Sequence, residues 1–380
     1  MDGGLLAVKA IERRLAELKK SIPEVTPGQA LALQRNGAVL VDVRDAAEIA
    51  QGSPRNALRI DRGFLEFRIE EAAPDLDRTV LVACASGGRS LFAAADLRRM
   101  GYADVRSVAG GFNQWKDEGL PFDIPKALDA DARQRYARHL AMPEVGEAGQ
   151  LKLLRSKVLL IGAGGLGSPA ALYLAAAGVG TLGIVDHDVV DRTNLQRQIL
   201  HTNERVGLSK AASARAALNA LNPAVTVVEH ALRLDRGNVD ELLAGHDVVV
   251  DGSDNFATRY LVNDACVRHG LPNVHGSVFR FEGQVAVFWP SREGSPGPCY
   301  RCLHPQPPPP ELAPSCAEAG VLGIVPGVVG LLQAAEAIKI LLGAGDPLAG
   351  RLLHYDALAA RFTEFKQARN PDCRRRCRYC

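Results

Sequence analysis

A strand that runs straight into a glycine loop and then a helix constrains this chain more than any other feature. Lys157–Ile161 is an apolar run, Gly162-Ala-Gly164-Gly165-Leu-Gly167 follows it directly, and Ser168–Ala177 continues as a helix. Glycines at those positions let the backbone approach a phosphate and let the helix pack tightly on the strand. Asp186 ends the next strand, Leu182–Asp186, where a carboxylate meets a ribose hydroxyl. A helix over Asp131–Leu140 precedes this unit. A helix over Lys210–Leu221 and strands over Val225–His230 and Asp247–Asp251 continue it. The alternation predicts an α/β unit with a mostly parallel, Rossmann-like sheet. Near its end we expect a helix over Val328–Leu342 and a short strand around Arg351–Tyr355.

At 380 residues the chain is long enough for two or three domains. Ile11, Leu15 and Leu18 predict one amphipathic N-terminal helix, stopped by Pro23 and Pro27. Strands at Ala38–Val43 and Thr79–Ala83, a helix from Ser90 to Met100 and a loop-helix-stop at 110–121 form a second α/β unit. The expected organisation is a helix over 1–21, one α/β domain over 22–124, a linker over 125–130 and the larger domain over 131–380. Pro307–Pro310 lies in a long segment of low structure, 291–315, of the kind that is mobile or functional.

Composition narrows the function. Apolar residues make up 47%, which argues against disorder, and 45 Lys/Arg against 43 Asp/Glu leave no surplus for a nucleic-acid-binding face. The first twenty residues carry Asp2, Glu12, Glu17 and five Lys/Arg, so no export signal is read there. The uncharged stretch Ala319–Ala335 contains Pro326 and Gln333 and reads as buried core rather than a membrane span. The expected location is cytoplasmic. Eight cysteines in such a chain point to metal ligation or catalysis rather than to disulfides.

Cys84-Ala-Ser-Gly-Gly-Arg89-Ser90 joins a strand to a helix. Such a loop points backbone N–H groups inward at a helix N-terminus, and an electropositive loop favours a thiolate and any anionic atom attached to it. Arg89 adds a cation. Four residues separate Cys84 from Arg89, whereas cysteine phosphatases have five, so the loop suits a persulfide sulfur better than a phosphate. With Val41-Asp42-Val43-Arg44, Glu48, Gly110-Gly111-Phe112, Trp115 and Gly119-Leu120-Pro121, this unit resembles the rhodanese family. The resemblance implies that Cys84 accepts sulfur as a persulfide and that Asp42 and Arg44 support the loop.

In the larger unit an NAD site is the default for the glycine loop, but the neighbours disagree. Asp186-His-Asp188 leads to Asn194-Leu-Gln-Arg197-Gln198 and then Lys210, a set that suits a triphosphate with developing charge. Asp251-Gly-Ser-Asp254-Asn255 ends another strand at the same sheet edge, where a carboxylate can hold Mg2+. With Arg135-Tyr-Ala-Arg138-His139, residues 131–380 resemble the E1 superfamily, in the branch that activates ubiquitin-like sulfur carriers. That resemblance implies ATP along Gly162–Gly167 and its ribose at Asp186. Asn194, Arg197 and Lys210 would contact phosphates, Asp254 would ligate Mg2+, and Arg138 would reach into a partner subunit's site in a homodimer.

Cys299-Tyr-Arg-Cys302 and Cys377-Arg-Tyr-Cys380 are C-x-x-C pairs suited to a tetrahedral Zn2+ site. The family's tail places its second pair at Asn-Pro-x-Cys-x-x-Cys, and here Arg376 stands where that pair's last cysteine belongs. Either Cys373 pairs with Cys377, or Cys377 and Cys380 are the ligands and Cys373 is spare; spacing slightly favours the latter. Cys316, after the proline run, lies where the family can form a thioester or resolve a persulfide adduct, and Cys266 reads as core.

The expected reaction is adenylation of the Gly-Gly carboxylate of a sulfur carrier, then sulfur delivery from Cys84 to give a thiocarboxylate. A cysteine desulfurase or thiosulfate would load Cys84. In the best-known fusions the rhodanese unit follows the adenylating unit, whereas here it precedes it, so delivery between subunits stays open. The alternatives are an RNA-directed adenylating enzyme of the same superfamily, an NAD-dependent oxidoreductase, and a rhodanese unit that serves only as a docking module.

Overall fold

In both halves of the chain, strands buried on two faces organise the structure. The computed structural model describes residues 9–124, 128–308 and 320–373, and the chain divides into two units, Met1–Ala127 and Leu128–Cys380. In the first unit the strands are β1 (Glu24–Val25), β2 (Val39–Asp42), β3 (Ser53–Pro54), β4 (Leu58–Arg59), β5 (Val80–Ala83), β6 (Val105–Val108) and β7 (Phe122–Asp123). Five of them form a parallel sheet in the order β1-β6-β5-β2-β4, and β3 pairs with β7. Val39, Val41, Val80 and Val82 join a core containing Leu18, Ile69 and Leu91. Their neighbours Leu40, Leu81 and Ala83 join a second core with Phe112 and Trp115. This period-two division requires helices on both faces, and the continuous apolar strands are its signature.

The N-terminal helix is Ala10–Ser21, and it belongs to this unit rather than standing apart. Leu18 is buried, whereas Ile11 is exposed, so only part of the expected stripe is used.

The second unit has an eight-stranded sheet of β8 (Lys157–Ile161), β9 (Thr181–Val185), β10 (Thr226–His230), β11 (Val248–Asp251), β12 (Asn273–Phe279), β13 (Glu282–Phe288), β14 (Arg351–Asp356) and β15 (Arg361–Lys366). The order is β10-β9-β8-β11-β12-β13-β14-β15. It is parallel from β10 to β12 and antiparallel beyond. A mostly parallel sheet was expected; the antiparallel half starts at the tight β12–β13 connection, where Arg280 adopts φ 53°. That turn lacks the glycine or asparagine that usually announces one.

Two further differences have local causes. The expected helix Asp131–Leu140 is broken into Ala130–Arg135 and Ala137–Leu140 at Tyr136, whose buried hydroxyl accepts a hydrogen bond from Asn222 Nδ2 at 2.9 Å. The last helix begins at Ile324, ahead of the expected Val328, because Pro326 falls in its first turn, where no N–H is missed. This helix, Ile324–Leu342, is long and apolar enough to cross a membrane by length and composition. It packs instead within the unit, with Val329, Ala334, Ala337 and Leu341 in the main core and Gln333 Nε2 donating to the Asp251 and Val274 carbonyls.

Candidate functional site

The glycine loop sits where β8 ends. Gly162 has φ 92°, and a Cβ on Gly167 would collide with the Gly162 carbonyl, so two positions of the motif admit only glycine. Gly165 packs against Pro326 and Arg197, which seats the loop on the helix Ile324–Leu342. Asp186 at the end of β9 accepts from the Ala163 N–H at 2.8 Å and the Asp188 N–H at 2.9 Å. The carboxylate therefore ties the glycine loop to the loop after β9 and still has lone pairs for a ribose hydroxyl.

A cleft of about 310 Å³ opens at the carboxyl ends of these strands, where open α/β sheets bind ligands. Gly162, Gly164, Gly165, Asp186, Arg197, Lys210 and Asp254 line it. Lys210 is buried and donates to Asp188 Oδ2 at 2.8 Å; that contact holds the Asp188 carboxyl below its usual range. Arg197 donates from Nη1 to the Thr193 carbonyl at 3.2 Å. Asp254 is exposed on the loop after β11, where Asn255 caps the helix Phe256–His269. Its oxygen donors on a phosphate-sized cleft fit a magnesium ion. Gly167 starts the helix behind the loop. Asn194 lies on the short helix Arg192–Asn194, not on the wall, and Arg138 is exposed on Ala137–Leu140, also off the wall.

Asp188 and Gln198, which the sequence runs named without an individual role, also line the cleft, as does Arg233, which sequence reasoning did not single out. Gln198 stands next to Arg197 in a noted run, and its buried Oε1 has no hydrogen-bond partner among the described residues. It also missed His201 behind the loop. His201 Nε2 lies 2.9 Å from the Ala163 carbonyl, an acceptor only, so that nitrogen donates and Nδ1 accepts from Ser213 Oγ at 2.9 Å. A histidine partnered only through the fold leaves no spacing to read.

A second cluster gathers Cys299, Cys302 and Cys373. Cys299 Sγ is 3.8 Å from Cys302 Sγ and 3.4 Å from Cys373 Sγ, and all three sulfurs lie within 4.8 Å of one another. A tetrahedral zinc with Zn–S bonds near 2.3 Å holds its sulfurs about 3.8 Å apart, so the donor set fits zinc. Contact with Cys299 holds the Cys302 thiol down at about 5. Cys373, which the spacing set second to Cys377 and Cys380, is buried in this cluster beside Cys299 and Cys302. The turn Asn370–Cys373 carries it there, through Cys373 N–H to Asn370 O at 3.0 Å. Cys377 and Cys380, and Cys316, lie outside the described residues. Cys266 is buried in the core, as expected, with its thiol pushed well up by burial.

In the first unit Cys84 is buried at the end of β5, and its Sγ accepts from the Gly87 N–H at 3.1 Å. The helix Gly111–Asp117 clamps the loop: Phe112 N–H donates to the Cys84 carbonyl at 2.7 Å and Asn113 N–H to Ala85 at 3.0 Å. A Cβ on Gly111, at φ 57°, would strike the Cys84 carbonyl, which explains the glycine pair. Arg44 is buried on Asp42, with 2.7 Å between Nη2 and Oδ2, and donates to the Gly52 carbonyl at 2.6 Å. Arg89 reaches Glu48 through two hydrogen bonds, at 2.7 and 2.5 Å.

The ThiF family matches residues 136–375, and the rhodanese-like domain matches residues 26–118. The chain is 56% identical over 240 residues to the sulfur carrier protein adenylyltransferase of Thermus thermophilus, covering 63% of this chain and 89% of that one. It is 53% identical over 239 residues to the adenylyltransferase and sulfurtransferase MOCS3 of Drosophila grimshawi. That match covers 63% of this chain and 53% of the relative, so about half of the fused relative is spanned. Among solved structures, E. coli MccB with ATP superposes with a TM-score of 0.54 at 25% identity, covering 65% of this chain and 74% of that one.

Proposed function

The chain belongs to the ThiF family, and on that premise we propose that its second unit uses ATP to adenylate the C-terminal Gly-Gly carboxylate of a ubiquitin-like sulfur carrier. It is an E1-like adenylyltransferase joined to an N-terminal rhodanese-like domain, and the first unit supplies the sulfur. The observation that carries the reading is the cleft in which Asp186, Arg197, Lys210 and Asp254 surround the glycine loop.

The loop's N–H groups and the N-terminus of Gly167–Ala176 receive phosphate oxygens, and Asp186 accepts from the ribose. The carrier carboxylate attacks the α-phosphorus, the bond to pyrophosphate breaks, and its electron pair leaves with pyrophosphate. Arg197 and Lys210 offset the charge that develops there. The Arg197 N–H donates to the Asn194 carbonyl at 3.1 Å, a main-chain turn that presents Arg197. Asp254 would hold a magnesium ion, which when bound neutralises phosphate charge. Cys299, Cys302 and Cys373, with one cysteine of the tail, would hold a structural zinc. Arg138, exposed on its short helix, would enter the site of a partner subunit, making the enzyme a homodimer.

The terminal sulfur of a Cys84 persulfide then attacks the acyl carbon and AMP leaves, giving an acyl disulfide. A second thiolate, for which Cys316 is the candidate, attacks Cys84 Sγ. The S–S bond breaks toward the carrier, which departs as thiocarboxylate, and a cellular dithiol reduces the Cys84–Cys316 disulfide. The sulfur comes from a cysteine desulfurase or from thiosulfate.

ATP–pyrophosphate exchange tests the first step with candidate carriers, intact or lacking the terminal glycine. Exchange only with the intact Gly-Gly carrier is expected. No exchange with any carrier, despite ATP binding, would overturn the reading and favour an RNA substrate.

A further inference from the structure

The cation that the Cys84 loop contributes is already neutralised. Both terminal nitrogens of Arg89 donate to the Glu48 carboxylate, at 2.7 and 2.5 Å. Glu48 is itself anchored: its N–H donates to Asp45 Oδ1 at 2.9 Å, and its Oε2 accepts from the Asp45 N–H at 3.3 Å. Arg89 holds the Glu48 carboxyl at about 2, so the pair stays ionised across the working pH range. Asp45 adds a second negative charge that Arg89 senses. The other arginine of the motif, Arg44, is turned inward on Asp42 and buried. Asp45, Glu48 and Arg89 together therefore carry one net negative charge beside the sulfur loop.

We propose that Glu48 selects the sulfur donor: by neutralising Arg89 it disfavours thiosulfate, so that Cys84 is loaded from a protein-bound persulfide. The proposal rests on the reading that Cys84 carries persulfide sulfur. In either case the Cys84 thiolate attacks the sulfane sulfur, the donor S–S bond breaks and its electron pair leaves with the donor. Thiosulfate brings two negative charges and must release sulfite, again a dianion, beside Asp45 and Glu48. A protein persulfide brings one, releases a thiolate that can take a proton, and binds through its own surface. Each unit of charge near the reacting sulfur acts through Coulomb energy that low salt leaves largely unscreened.

The test compares the full chain with its Glu48→Gln variant, which keeps the capping geometry because glutamine serves at that position. Donors are thiosulfate and a cysteine desulfurase with L-cysteine, read by the added sulfur mass on Cys84 and by thiosulfate–cyanide turnover at low salt. Glu48→Gln is expected to raise kcat/KM for thiosulfate about tenfold or more, mainly through KM. Loading from the desulfurase should change less than about threefold. If Glu48→Gln lowers the melting temperature, Asp45→Asn removes a charge without touching Arg89 and should shift thiosulfate use in the same direction. Rapid thiosulfate loading of the unaltered chain, or no change in either variant, would overturn the proposal. No sulfur on Cys84 from either donor would instead overturn the persulfide reading beneath it.

Discussion

His201 shows how a single side chain can hold a site it does not line. Its ring bridges the Ala163 carbonyl of the glycine loop and the Ser213 hydroxyl on the helix Lys210–Leu221. Burial pushes the imidazole below its usual value, so the folded protein keeps it neutral. The unfolded chain protonates near pH 6.5 and so binds more protons than the native state below that value. Stability is therefore present above pH 6.5 and lost as pH falls toward the depressed native value; His246, also lowered by burial, acts in the same direction. Thermal melts from pH 7.5 to 5 should show this decline, shallower in His201→Phe. At pH 7.5 that variant should cost about 2 kcal/mol for two unpaired buried groups, and raise KM for ATP. A decline of unchanged slope would remove His201 from the account. Asp186 and Lys210 were legible in the sequence because motif spacing names them, whereas His201 is paired with loops that only folding brings near.

At the scale of elements, strands buried on both faces announce themselves as continuous apolar runs, and β8, β9 and β11 fall within a residue of expectation. The elements that escaped are those with weaker local signals. β12 and β13 meet at a turn without glycine, and β15 is an edge strand whose residues are largely exposed. The short turn after Asn370 escaped too, yet it brings Cys373 beside Cys299. Cys373→Ser should reduce bound zinc from about one per chain to a small fraction and lower the melting temperature by several degrees, whereas Cys266→Ser should keep the metal. Metal analysis of the purified variants decides it; full zinc in Cys373→Ser would return the site to Cys377 and Cys380.

For the whole molecule, the proposed reaction assigns activation to one unit and sulfur supply to the other. A covalent link raises the effective concentration of one for the other, whatever their order along the chain. Cys84→Ser should leave ATP–pyrophosphate exchange within about twofold of the unaltered enzyme while abolishing carrier thiocarboxylate, measured by mass. Retained thiocarboxylate formation would make the first unit a docking module rather than a sulfurtransferase.

The sequence by itself determined the two α/β units, the glycine loop with its acid, and the thiol loop with its arginine, because each is written in residues close along the chain. Only the tertiary structure decided three things. Arg89 is neutralised by Glu48, 41 residues away. Cys373 joins Cys299 across 74 residues. His201 supports the glycine loop from 38 residues beyond it. The physical reason is the same in each case: charge pairing, ligand sets and buried hydrogen bonds depend on distances in space, and periodicity along a chain carries no record of them.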